Sequence, residues 1–364
     1  MTVTTYVLTR LGVVMSRDED DPREDWGVLN PACARTHDGE LLLFPRLVAE
    51  GNESRVGLAR VLFDDDGTPV GVERRGVALE PDELWERNAR TGGVEDPRIS
   101  YVADLDRWIM TYTAYGPLGA RIGMAASDDL LRWRRLGPVT FRYEPRWRTD
   151  LNLYFNKDAL LFPEAVPGPD GEPCYALLHR PVWDLSWIRE DEAEVVPHGV
   201  DEPRAGIWVS YVNADAVRGD LRALTHLGDH RPVAVPEQPW EELKIGGGTP
   251  PVRTPEGWLS IFHGVAGEMV HGQDLQPHVR YSAGVMVHDP LDVSRLLHRS
   301  SEPLLEPELD EEREGIVPNV VFPTAIDVRD DTSADVFYGM ADSRIGVARL
   351  TISRPDGGSA HGAG

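Results

Sequence analysis

Cysteine is almost missing from this chain. Cys33 and Cys174 are the only two in 364 residues, too few for a disulfide framework and best read as buried, reduced thiols. No apolar run approaches the ~20 residues that cross a bilayer. The stretch from Met1 to Met15 carries Arg10 within a short mixed segment and has no small-residue cleavage site. A cytoplasmic protein without a membrane partner is expected. Basic charge is scarce as well: 37 Lys and Arg stand against 61 Asp and Glu, for a net charge of −24. A nucleic-acid reader needs a basic stripe, so DNA and RNA are not expected partners.

Several reaction motifs are absent. There is no phosphate-cradling loop ending in Gly-Lys-Ser/Thr, and Gly246-Gly247-Gly248 runs into Thr249-Pro250-Pro251, which cannot open a dinucleotide-binding helix. No Gly-x-Ser-x-Gly elbow is present. His226 and His230 have helical spacing but no zinc-site companion, and His271 and His278 sit in a polar loop, so neither a metal nor an organic cofactor is expected. Asp64-Asp65-Asp66-Gly67 lacks the alternating ligands and distal glutamate of a calcium loop and reads as a turn, like Ser127-Asp128-Asp129.

What the chain does contain is recurrence. A small-residue or acidic opening leads into a short apolar run five times: Asn30-Pro31 into Leu41–Phe44, Glu95-Asp96-Pro97-Arg98 into Ile99–Val102, Lys157-Asp158 into Ala159–Phe162, Gly248-Thr249-Pro250-Pro251 into Trp258–Phe262, and Pro318-Asn319 into Val320–Phe322. Measured from Pro31, Pro97, Asp158, Pro250 and Pro318, the intervals are 66, 61, 92 and 68 residues. Small-residue strands follow in each copy, among them Arg55–Ala59, Arg121–Ala125, Trp208–Tyr211, Tyr281–Val285 and Arg344–Ala348, which would let neighbouring units approach closely. Several short strands per unit without a strong helical stretch predict an all-β chain, a five-bladed β-propeller of four-stranded blades. One domain over 1–354 is expected, with a disordered tail over 355–364. The long interval holds an acidic insertion from Asp184 to Gly206, a candidate lid or a solvated loop.

Charged residues fall at the same ends of successive units: Arg46, Asp96 with Arg98, Lys157 with Asp158, Arg180, Lys244, His263 and Asp342. In a propeller such positions gather around the axis. At these residues the chain resembles glycoside hydrolase family 130, the mannoside phosphorylases and their hydrolytic relatives. The resemblance is carried by Asn30-Pro31-Ala32, Gly93–Ile99, Tyr112–Tyr115, Lys157–Glu164, His179-Arg180-Pro181, Lys244–Pro251, His263-Gly264-Val265, Pro318–Phe322 and Tyr338–Asp342. These segments run in family order across nearly the whole chain.

The resemblance implies a single catalytic carboxylate, Asp96, which protonates the leaving oxygen through a hydroxyl of the bound mannosyl unit. Phosphate attacks the opposite face and gives α-mannose 1-phosphate from a β-1,2- or β-1,4-mannoside. It also implies that Arg180, Lys244 and His263 hold phosphate, with Arg46 a looser match to that cluster. Asn30, Arg98, Lys157, Asp158, Tyr115 and Asp342 would shape the sugar pocket. The partners are then a manno-oligosaccharide and inorganic phosphate as co-substrate, and a homo-oligomer is compatible with the sequence. The chemistry is consistent, because a phosphorolytic site needs cations to orient a dianion where an inverting hydrolase needs a second carboxylate. Two alternatives stay open. An inverting β-mannosidase would use Glu164 or an insertion-loop glutamate as base, and a non-catalytic sugar-binding propeller would use Trp85, Tyr115 and Trp147.

Overall fold

The computed structural model describes residues 4–88, 91–184, 195–269 and 276–355. The acidic centre of the insertion (185–194), His271 and the tail beyond 355 lie outside the described residues. The fold is all-β, and four hydrogen-bonded sheets hold its strands.

The eight-stranded sheet consists of two antiparallel runs. Gly27–Arg35, Leu41–Ala49, Glu53–Phe63 and Pro69–Leu79 form the first; Gly92–Val102, Arg107–Gly116, Gly119–Ser127 and Arg134–Pro138 form the second. They are joined only where Glu53 and Ser54 pair in parallel with Gly92 and Gly93. The third run centres on Phe155–Leu161, Pro173–Val182, Ile207–Asn213 and His226–Ala234, and the fourth on Lys244–Gly247, Gly257–Gly267, Val279–Asp289 and Asp292–Arg299. The last run, Val321–Asp330, Ser333–Met340 and Arg344–Ser353, is completed by the N-terminal strand Thr5–Ser16, with Thr5 opposite Ser353.

Side chains of a strand alternate between its two faces. Here both faces are buried, which is why second strands read as continuous apolar runs. Leu42 and Phe44 pack with Val94 and Met110 of the second run, whereas Leu43 between them packs with Phe337 and Val347 of the last. Further clusters join the second run to the third (Ile122, Met124 with Leu161, Leu177), the third to the fourth (Leu178, Val209 with Ile245, Phe262) and the fourth to the last (Ile261, Val285 with Val321, Val336). The packing therefore closes on itself, from the last run back to the first.

Several local expectations need correction. Leu41–Phe44 and Trp258–Phe262 are second strands, not continuations of their units' openings, so the repeats were read one strand out of phase in two copies. The small third-strand residues serve pairing within a sheet. A Cβ on Gly123 would lie 2.4 Å from the Tyr112 ring directly opposite, and one on Gly346 would lie 2.8 Å from the ring of Tyr338 opposite it, so second-strand aromatics lie over third-strand glycines. His226 and His230 share the strand His226–Ala234 rather than a helix. The Asp64 turn is as expected: its Oδ1 accepts from the backbone N–H of Asp66 at 3.0 Å and of Thr68 at 2.8 Å. Cys33 and Cys174 are free and buried.

Candidate active site

The recurring openings share one backbone device. In the first three runs the pair Leu29–Arg46, Glu95–Thr113 or Lys157–Arg180 is the last before a register break, and pairing resumes at Ala32, Arg98 and Leu160. The residue after each pair adopts a left-handed backbone: Asn30 at φ 40°, Asp96 at 46° and Asp158 at 55°. Asn319, at φ 60°, lies two residues before the inner strand Val321–Asp330 of the last run. Asn and Asp tolerate that conformation better than other non-glycine residues. A bulge turns its side chain out of the strand's alternation, and bulges concentrate beside active sites for that reason.

Three of these side chains, with residues from second strands, line one cavity of about 180 Å³. Its wall includes Asn30, Arg46, Asp96, Lys157, Asp158, Arg180, Lys244, His263 and Asp342. On one side lies Asp96, whose Oδ1 accepts from Asn30 Nδ2 at 2.9 Å and Arg46 Nη1 at 3.1 Å. Arg46 also donates to Glu95 at 2.9 Å and to Ser54 at 2.9 Å, so its guanidinium is turned onto the carboxylates. Burial would raise Asp96, but Arg46, then Arg98, Lys157 and the Asn30 bond outweigh it and hold the carboxyl below its ordinary range. Asp342 behaves in the opposite way. It makes no hydrogen bond to another described side chain; enclosure, with Asp96 and Glu95 nearby and only partly offset by Arg46 and Lys157, pushes it up to about 7.

The other side gathers the cavity's basic residues around Asp158. Asp158 accepts from Arg180 Nε at 2.6 Å and has Arg98 Nη2 at 3.7 Å; Arg180 foremost, with Arg98 and Lys157, keeps it ionised despite burial, and His263 Nε2 also lies 3.7 Å away. His263 is driven down to about 3, by burial first, and is therefore a neutral imidazole. Its buried Nδ1 has no partner among the described residues. Lys157 and Lys244 have no carboxylate within ion-pairing distance among the described residues. Gly246 makes the close approach feasible, since a Cβ there would sit 2.4 Å from Asp158 Oδ2 and 2.5 Å from His263 Cε1.

Not every expected residue reaches the cavity. Arg98 lies beneath it, fully buried, and donates to the backbone carbonyls of Asp96 at 2.9 Å and of Gly247 and Gly248 at 3.2 Å each. It thereby crosses from the second run to the fourth and closes the floor. It is not among the residues that line the cavity. Tyr115 is half-buried on Arg107–Gly116 and does not line the cavity. Trp85 stacks on Tyr112 and Trp147 packs edge-on to Trp208, so the aromatic surface expected of a sugar-binding propeller does not converge on the cavity. Glu164 is exposed and lines a different cavity with Cys33, Ser100 and Thr324, so it is no candidate base here.

Sequence reasoning missed Tyr281 and Phe322. Both line the cavity and pack against the His263 ring, with centroids 5.8 and 4.5 Å away. One signal would have found the basic side of the cavity directly: the chain has only two lysines, Lys157 and Lys244, and both are in this wall.

The all-β runs thus bring a carboxylate and several basic side chains together in one cavity. The chain belongs to glycoside hydrolase family 130: the family's sequence model, described as beta-1,4-mannooligosaccharide phosphorylase, matches residues 4–354. A 1,2-beta-oligomannan phosphorylase of Thermoanaerobacter sp. (strain X514) is 34% identical over 264 residues, covering 71% of this chain and 69% of that protein. The Beta-1,4-mannooligosaccharide phosphorylase of Ruminococcus albus is 28% identical over 292 residues, covering 80% of this chain and 72% of that one. Among solved structures, a Beta-1,2-mannobiose phosphorylase from Listeria innocua superposes with a TM-score of 0.65 at 21% identity, covering 95% of this chain and 94% of that one, and so supports the fold. No helix among the described residues is long and apolar enough to cross a membrane.

Proposed function

We propose that this chain is a five-bladed propeller of one catalytic domain over 1–354, and that it is an inverting phosphorylase of β-1,2- or β-1,4-linked manno-oligosaccharides. The observation that carries this reading is the composition of the cavity: the basic side chains Lys157, Lys244 and Arg180, with the neutral His263, share one wall with Asp96. An attacking phosphate needs such basic groups to hold it, and they have no role in activating water. The hydrolytic alternative loses Glu164, which lies elsewhere. Relatives acting on both linkages support the mannoside assignment.

In this mechanism phosphate lies against Arg180, Lys244 and His263, while the sugar occupies the side of Asn30, Asp96 and Asp342. In the empty cavity Asp96 is ionised, held low by Arg46 ahead of Arg98 and Lys157. Binding of a phosphate dianion brings negative charge into the same cavity, which raises the proton affinity of Asp96 and loads it as the acid. A phosphate oxygen then bonds to the anomeric carbon from one face as the glycosidic C–O bond breaks on the other, and the leaving oxygen receives a proton by way of Asp96. Incubation with β-1,2- and β-1,4-mannobiose in phosphate, with the product anomer read by NMR, tests the assignment. Formation of α-mannose 1-phosphate from one of the two is expected; cleavage of neither rejects the mannoside substrate.

A further inference from the structure

Of the chain's 37 basic residues, 35 are arginine. The two lysines are far apart in sequence and meet in one cavity. Arginine stays charged at any working pH, whereas a lysine amine gives up its charge readily when drawn out of bulk water. A protein that uses guanidinium everywhere else has therefore kept its titratable cations in one place.

The surroundings of Lys244 favour the neutral amine. The charged and titratable groups facing it come from three neighbouring strands: Lys157 and Asp158 on Phe155–Leu161, Arg180 on Pro173–Val182 and His263 on Gly257–Gly267. Lys157 and Arg180 repel a further positive charge. Asp158 would attract it, but that carboxylate is already engaged by Arg180 at 2.6 Å and by Arg98 and His263 at 3.7 Å. The face of Tyr281 lies 5.7 Å from Nζ. Enclosure first, then Arg180 and Lys157, bring Lys244 down to about 7.

Resting on the phosphorolytic reading above, we propose that Lys244 is the proton acceptor of the phosphate site: a neutral amine in the empty cavity, it becomes an ammonium as phosphate binds, taking the proton of dihydrogen phosphate so that the dianion faces the anomeric carbon. One phosphate O–H bond breaks, one N–H bond forms at Nζ, and no electrons are exchanged. The dianion oxygen then bonds to the sugar, the aglycone oxygen departs, and its proton comes by way of Asp96. An arginine at position 244 would hold phosphate but could not accept the proton.

Calorimetric titration with inorganic phosphate at pH 8, in two buffers of different ionisation enthalpy, counts the protons. With Lys244 at about 7, about nine tenths of the amine is neutral at pH 8 and most free phosphate is already the dianion, so forming the ammonium–dianion pair takes up about 0.8 proton from the buffer. Lys244→Arg is expected to bind phosphate with an uptake smaller by that amount, leaving only the proton that Asp96 takes up. Phosphate binding by the wild type without uptake overturns the proposal, as does undiminished uptake in Lys244→Arg, which would place the whole uptake on Asp96, Asp342 or Lys157. Failure of the wild type to bind phosphate at all rejects phosphorolysis itself and this role with it. Because only two lysines are present, reductive methylation with ¹³C-formaldehyde gives a second measurement that needs no variant at 244. One of the two lysine signals, assigned with Lys157→Arg, should titrate near 7 without phosphate and at higher pH with it; two signals titrating near 10 overturn the proposal.

Discussion

Asn30 and Asp96, 66 residues apart, meet through a 2.9 Å hydrogen bond from the Asn30 amide to the carboxylate, each side chain carried by the left-handed bulge of its own inner strand. The acid is thus positioned by a neighbouring unit, and Arg46, from the same unit as Asn30, supplies the second donor at 3.1 Å. Precise placement of this kind is what a proton-transfer group requires.

Asp96→Asn keeps the shape and both donors' neighbourhood but removes the proton. Turnover is expected to fall by roughly 10²–10⁴, with an unchanged melting temperature within a few degrees. Steady-state kinetics alongside thermal melts checks this, and near-normal turnover removes Asp96 from the role of acid.

Arg180→Ala is expected to weaken phosphate selectively. A charge-assisted contact is typically worth about 1.5–3 kcal/mol, which corresponds to roughly a tenfold to hundredfold rise in the KM for phosphate. The KM for the mannoside should change much less, because Arg180 lies with Asp158 and His263 rather than with Asp96. Equal rises in both KM values would contradict a separate phosphate pocket.

Asp342 makes stability pH-dependent. Its folded-state value of about 7 lies above the ordinary 3.8, so its contribution is fully present below the lower value and is lost as pH rises through the upper one. Thermal melts of wild type and Asp342→Asn from pH 4 to 8 should therefore diverge, with the wild type losing stability relative to the variant as pH rises. Parallel curves would show that Asp342 is ionised throughout.

Arg98→Met removes a donor from the carbonyls of Asp96, Gly247 and Gly248 and takes one cation from buried Asp158. Removing one member of a buried ion pair costs about 3–5 kcal/mol, and chemical denaturation should show a loss of that order. Arg98→Lys should recover part of it, since a point charge restores the attraction to Asp158 but not the forked contacts. A loss below about 1 kcal/mol in the Met variant would mean that the floor does not depend on Arg98.

Much of this site was legible because its chemistry sits at repeated places. Asn30-Pro31, Asp96-Pro97 and Lys157-Asp158 mark bulges, and an αL-tolerant residue beside a strand interruption is visible in sequence. Arg46 and Arg180 were legible as second-strand ends for the same reason. The destination of a charge was not legible. Arg98 lies two residues past a bulge, like a pocket residue, yet points beneath the cavity because carbonyls of Gly247 and Gly248, 149 and 150 residues away, take its donors. Tyr281 and Phe322 were missed because aromatic residues on buried strands look alike whether they face a core or a cavity. Leu41–Phe44 was assigned to the wrong strand because, with both faces buried, first and second strands have the same apolar pattern.

The central claim is that phosphate, not water, breaks the glycosidic bond, and stoichiometry tests it most directly. With a manno-oligosaccharide that the protein cleaves, inorganic phosphate consumed and new reducing ends released should be counted in the same reaction, and the rate measured again with phosphate omitted. One phosphate consumed per bond broken, with turnover nearly abolished in its absence, is the predicted result. Free mannose released at an undiminished rate without phosphate would contradict the claim and make this chain a hydrolase.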